Sequence, residues 1–148
     1  MHPMKVAHGK GNNYTIIPHA SDICIEVQGS TIKEVFKKGA IALMDQMISK
    51  GKNERTIVRH IDIKAPDKDL LFVYWLQEML YQFYVHGYIY NRSKINKLTE
   101  TELKAIVTFN KFSPKKHKVK REIKAVTHHD VNIMEKNNKY TVRFVIDI

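Results

Sequence analysis

The sequence predicts an α+β domain, with two helices packed on a mixed, mostly antiparallel β-sheet. Three observations carry that reading. Two segments, 29–51 and 66–87, have the length and the boundary residues of helices. The segments around them alternate apolar and polar residues at the period of a strand. No internal repeat, low-complexity tract or second hydrophobic block interrupts the chain.

Residues 1–12 hold Pro3, Gly9 and Gly11 without apolar periodicity, which predicts a flexible N-terminal tail and a single domain over 13–148. "YTIIP" (14–18) and "DICIEVQ" (22–28) read as strands. In the second, Ile23, Ile25 and Val27 share one face, and Asp22, Cys24, Glu26 and Gln28 the other. In 29–51, residues Ile32, Val35, Phe36, Gly39, Ala40, Leu43, Met44 and Met47 follow the rhythm of one buried helical face. Thr31 with Glu34 fits a capping box, and Gly51 fits the C-terminal stop. "ERTIVRHIDIKA" (54–65) is strand-like. Pro66 and Asp67 open the second helix and Gly87 ends it. It is apolar nearly all round, so it is expected to be the buried one. Residues 88–98, 102–112, 122–134 and 140–148 complete the expected strands, with a basic loop at 113–121 and a turn at 136–139.

The chain has 148 residues, 43% hydrophobic and 27% charged, the balance of a globular protein. A single cysteine, Cys24, excludes an internal disulfide and fits a reducing compartment. "MHPMKVAHGKGNN" lacks the apolar core of a secretory leader. The longest apolar stretch, 70–85, is too short for a bilayer and is interrupted by Gln77, Glu78 and Gln82. A cytoplasmic protein, or a nuclear one if the source is eukaryotic, is therefore expected, with no membrane partner. The net charge of +10, from 25 basic and 15 acidic residues, favours anionic partners, although solvated lysine faces give the same balance.

Catalysis by the chain alone is not expected. Scattered histidines and one cysteine give no zinc spacing, and His128 and His129 would point to opposite faces of a strand. There is no nucleophile elbow and no phosphate-binding glycine loop, and Cys24 sits where a structural thiol belongs. The carboxylates carry more. Asp22 begins a strand, Asp147 nearly ends one, and each is out of phase with its strand's apolar set. If those strands pair antiparallel, Asp22, Asp147 and the terminal carboxylate or carbonyl of Ile148 converge as an oxygen-only site for calcium or magnesium. The alternative is a pair of solvated acids that discourage edge pairing. His19 reads either as an orienting partner of Asp22 or as an exposed turn residue. Both faces of "EIKAVT" carry apolar residues, so its pattern leaves open which one meets solvent.

Together, "PHASDI" (18–23), "VYWLQEMLYQF" (73–83), "EIKAVTHH" (122–129) and the terminal "IDI" resemble four signatures of the archease family, in family order. The resemblance implies an accessory protein, not an enzyme. It would activate the GTP-dependent ligase that joins tRNA exon halves at a 3′-phosphate end, promoting ligase guanylylation and multiple turnover. It also implies a divalent cation, usually calcium, at Asp22, Asp147 and Ile148, and functional contacts through Lys124 and His19. Pro18, Ala20, Ser21 and His128 depart from the family pattern, and Pro18 removes a carboxylate near the implied cation. The alternative is a basic RNA-binding module, contacting RNA through 115–121, or a chaperone for a tRNA-modifying enzyme.

Overall fold

The computed structural model describes residues 7–8, 13–18, 22–49 and 55–148. In chain order the elements are β1 (Ala7–His8), β2 (Thr15–Pro18), β3 (Ile23–Gly29), α1 (Ile32–Met47), β4 (Ile48–Ser49), β5 (Thr56–Lys64) and α2 (Lys68–His86). There follow β6 (Tyr88–Leu98), β7 (Glu102–Lys111), β8 (Lys118–Val119), β9 (Ala125–Val126), β10 (Met134–Lys136) and β11 (Lys139–Asp147).

The α+β class stands, with two helices against antiparallel sheets. The sheet is divided, however. One sheet runs β1-β2-β3-β11-β10, with β9 also on β11; a second runs β5-β7-β6; β4 and β8 form a short third pair. Every strand pair among the described residues is antiparallel. The division follows from local pairing: β6 and β7 form a hairpin, and β5 adds to the hairpin's free β7 edge. Their partners are then spent, and β3 pairs with the distant β11.

The alternation predicted for β3 and β11 sets their ladder. Val27, Ile25 and Ile23 stand opposite Val142, Phe144 and Ile146, and all six are buried. On the other face Glu26 stands opposite Arg143 and pairs with it at 2.7 Å.

Helix α1 begins where the Thr31 side chain accepts from the Glu34 N–H at 3.1 Å while Glu34 accepts from the Ser30 N–H at 2.9 Å. Thr31 makes its half of the expected capping box, while Glu34 reaches back one residue further than the motif requires, to Ser30 and not to the Thr31 N–H. The Glu34 carboxyl is held below its ordinary range, first by the Ser30 N–H and then by Lys38. The helix ends at Met47, short of Gly51, which lies outside the described residues. Ile48 turns extended (φ −129°, ψ 130°) and pairs with Val119, as suits a β-branched residue.

Helix α2 is capped by Asp67, which accepts from the Leu70 N–H at 2.9 Å, and closed by Gly87 at φ 69°. That left-handed conformation is the reason for glycine there. Its buried face packs Phe72 against Phe36 of α1 and Phe144 of β11. Trp75 meets Tyr90 edge-on and donates its indole N–H to the Phe36 carbonyl at 2.8 Å. Each such fully buried ring contributes about 2–3 kcal/mol by area. The core therefore lies where the helices meet both large sheets. The helix is not covered all round as its composition suggested: Tyr74, Tyr81, Tyr84 and Val85 are exposed. Tyrosine counts as apolar in a periodicity, yet its hydroxyl favours water or a partner.

Two expected elements changed. Of 122–134 only Ala125–Val126 and Met134 are strand, and His128 and His129 sit in the intervening loop and turn, not on strand faces. The basic link 113–121 is anchored. His117 is buried, and its Nδ1 accepts from the Ser113 N–H at 2.9 Å. Lys120 N–H reaches the Met47 carbonyl at 2.7 Å, and its Nζ reaches the Asp45 carbonyl at 2.8 Å.

Candidate functional site at the strand ends

Strand β11 is flanked at its C-terminal end by β3 on one side and β9 on the other. The β3–β11 register closes with Ile23 opposite Ile146. Asp22 just precedes Ile23 and Asp147 just follows Ile146, so each lies one residue beyond that last pair. Because neighbouring residues alternate faces, both acids leave the core side that Ile23 and Ile146 occupy. On the other flank Ala125 stands opposite Asp147 and Val126 opposite Ile146. The Lys124 N–H donates to the Asp147 carbonyl at 2.7 Å, and the Thr127 N–H to the Val145 carbonyl at 3.0 Å.

The fold thus brings Asp22, Asp147, Ile148 and Lys124 to one edge. Asp147 and Lys124 are exposed, Asp22 is half-buried, and Ile148 is 41% exposed. His19 lies outside the described residues, as do Ala20 and Ser21. Among the described residues no three His, Cys, Asp or Glu side chains form a metal-holding group. Any cation here would draw on two carboxylates and main-chain or terminal oxygens.

Helix α2 supports this edge in a way the sequence did not signal. The Tyr84 hydroxyl donates to the Ile123 carbonyl at 2.7 Å and accepts from the Ile123 N–H at 3.0 Å. Gln77, two turns earlier on the same side, donates to the Val126 carbonyl at 3.2 Å. Lys124 is carried between these two anchors, with Ile123 and Val126 buried beneath it. No spacing rule marks such a pair, since both partners are main-chain groups distant in sequence. Burial, then the neighbouring Glu122, pushes the Tyr84 hydroxyl upward, and the Ile123 hydrogen bond opposes them.

Cys24 is buried on the same sheet. Burial raises its thiol first and Glu26 adds to the rise, against the lowering by Arg143. A thiol kept protonated is a poor nucleophile.

The architecture and this edge describe a small α+β protein whose distinguishing chemistry is acidic strand ends beside a lysine. The sequence matches the Archease protein family (MTH1598/TM1083) over residues 14–148. Protein archease of Methanosarcina acetivorans is 30% identical over 143 residues, covering 94% of this chain and 98% of its own. That of Pyrococcus abyssi is 32% identical over 135 residues, covering 88% and 94%. The solution structure of Methanobacterium thermoautotrophicum protein 1598 matches with TM-score 0.73 at 19% identity, over 92% of this chain and 99% of that one. A crystal structure described as an archease, possible chaperone, from Thermotoga maritima matches with TM-score 0.64 at 21% identity, over 100% of both chains. These structures share the fold. The chain belongs to the archease family.

Proposed function

We propose that this chain is an accessory factor of a GTP-dependent RNA ligase that joins tRNA exon halves at a 3′-phosphate end. It acts by favouring the ligase conformation competent for guanylylation, so that one ligase molecule turns over repeatedly. Such an effect requires higher affinity for that conformation than for the others. The observation that carries the reading is the convergence of Asp22, Asp147, Ile148 and Lys124 at the β3–β11–β9 edge. These are the positions at which the chain resembles the family's functional tip.

A divalent cation, calcium by preference, belongs to this proposal. The donor set fits a hard ion, because every donor is oxygen. Charge favours it too: like charges gathered at one end of a sheet repel, and a cation between them removes that cost. Asp22, Asp147 and the Ile148 terminus would hold the ion, which would supply a fixed positive charge for an anionic partner group. Lys124 would add a second positive group beside it.

The exposed cations Lys115, Lys116, Lys118, Lys120 and Arg121 favour RNA contact as a second component of the same role. Their contribution would be to association rate, and it would weaken with salt.

The test is a reaction with limiting ligase, GTP and RNA bearing a 3′-phosphate. Parent protein should convert a single round into many and raise guanylate occupancy of the ligase. Asp147→Ala should lose both effects while keeping its circular dichroism spectrum. A ligase whose turnover and occupancy ignore the parent protein defeats the proposal.

A further inference from the structure

At the far end of α2 from its Asp67 cap, cations gather on aromatic rings. Arg59 lies over the Tyr88 ring at 5.4 Å, and Lys111 Nζ lies 5.2 Å from the same ring centre. His86 stacks on Tyr88 at 5.2 Å, and Tyr81 meets His86 edge-on at 5.9 Å. Arg59 also donates to the Tyr88 hydroxyl at 3.2 Å, and Lys111 to the His86 carbonyl at 2.6 Å. These bonds fix the two cations in place and leave further N–H donors on each. Among the described residues neither cation makes an ion pair with a carboxylate. Tyr81 is 50% exposed, and His86, Arg59 and Lys111 are exposed as well. The anchored basic segment continues the patch. Phe112, next to Lys111, stacks on His117 at 5.7 Å and meets Phe83 of α2 at 5.8 Å, which carries Lys115 and Lys118 to the same end.

Two cations on one tyrosine repel each other, and a bound anion would relieve that repulsion. The half-exposed rings beside them offer flat apolar faces next to charge. An acidic protein surface would use the cations and leave those faces wet. A duplex would present phosphates with its bases already stacked. A single strand satisfies both features, since its phosphates pair with cations and its bases stack on aromatic side chains. We propose that this end of the molecule, through Arg59, Lys111, Tyr81 and His86, binds a single-stranded polynucleotide. The proposal does not depend on the ligase reading, and its residues are separate from the strand-end carboxylates.

The test is fluorescence anisotropy of a labelled oligouridylate of about a dozen nucleotides, titrated with the full chain across a salt series. The doubly substituted Arg59→Gln/Lys111→Gln protein should bind roughly tenfold more weakly, and its salt slope should be shallower by about 1.4, for two phosphate contacts on a single strand. Tyr81→Ala should weaken binding about fivefold or more with the slope unchanged, because stacking carries no counterion release. The control is Lys33→Gln/Lys37→Gln, which removes equal charge elsewhere. Lys33 lines the cleft beside Leu98 and Thr99, at the opposite end of β6 from Tyr88, roughly 30 Å away. The control should stay within about twofold of the parent, since exposed charges beyond a Debye length are largely screened. Equal weakening by the control pair and the site pair would reduce the effect to net charge and overturn the site. So would a parent protein that fails to bind at physiological salt, or Tyr81→Ala binding as tightly as the parent. Asp147→Ala should bind the oligonucleotide as the parent does, which separates this site from the strand-end edge.

Discussion

The hydroxyl of Tyr84 holds Ile123 by both main-chain groups, donating to its carbonyl at 2.7 Å and accepting from its N–H at 3.0 Å. Ile123 is fully buried and immediately precedes Lys124. Tyr84→Phe keeps the ring and leaves both groups of Ile123 without this partner. The expected cost is about 1–3 kcal/mol, from buried polar groups left unmade. Urea unfolding should show a lower midpoint with an unchanged slope. Amide exchange at Lys124 and Ala125 should accelerate more than the global loss accounts for, because the anchor acts locally.

Gly39 lies where α1 crosses α2. A methyl group there would stand 2.9 Å from the Phe72 ring. Alanine is normally the better helix former by about 0.5–1 kcal/mol. Here the ring has no room to yield, because Phe72 is fully buried between Phe36 and Phe144. Overpacking, at about 1–3 kcal/mol, should outweigh the helical gain. Gly39→Ala should therefore lower the thermal midpoint.

Tyr90 is buried with its hydroxyl 2.7 Å from Ser93 Oγ. Burial pushes its ionisation from 10.0 up to about 12, against a smaller lowering by Ser93. The folded form thus keeps its proton where the unfolded chain has lost it. Stability from this group is complete below pH 10 and falls as pH rises toward about 12. Tyr14, raised to about 12 first by burial and then by Asp45, adds to the same decline. Denaturation midpoints measured at rising alkaline pH should fall, and Tyr90→Phe should flatten the fall.

Asp147→Asn separates charge from shape at the strand-end edge. Without a divalent ion it removes one of the two carboxylates gathered at the end of the β3–β11 ladder. The variant should then be about 0.2–1 kcal/mol more stable than the parent, the range of a cross-strand charge pair. With calcium present the order should reverse, because an ion bound only by the folded parent stabilises it by mass action. Melting curves with chelator and with calcium test both halves. A parent protein whose melting temperature ignores calcium would defeat the cation proposal.

Much of this was settled by the sequence alone. The alternation of Ile23, Ile25 and Val27, and of Val142, Phe144 and Ile146, determined which faces of β3 and β11 are buried, because apolar side chains at a two-residue period fit only one side of a sheet. Thr31 with Glu34 and Asp67 with Gly87 marked three helix ends by local hydrogen bonding and backbone freedom. The end of α1 was less legible, since Ile48 left the helix to pair with the distant Val119. Only the tertiary structure decided which ends meet. Asp22 and Asp147 come to the same end of the sheet because β3 chose β11, and that choice depends on core packing between segments more than a hundred residues apart. Lys124 joins them through a strand of two residues, Ala125–Val126, too short for any periodicity to reveal. Tyr84 and Gln77 hold that strand by bonding main-chain atoms, whose positions no side-chain pattern encodes. The cation pair on Tyr88 likewise exists because β5 and β6 both pair with β7, which brings Arg59 and Tyr88 together from strands separated by a whole helix.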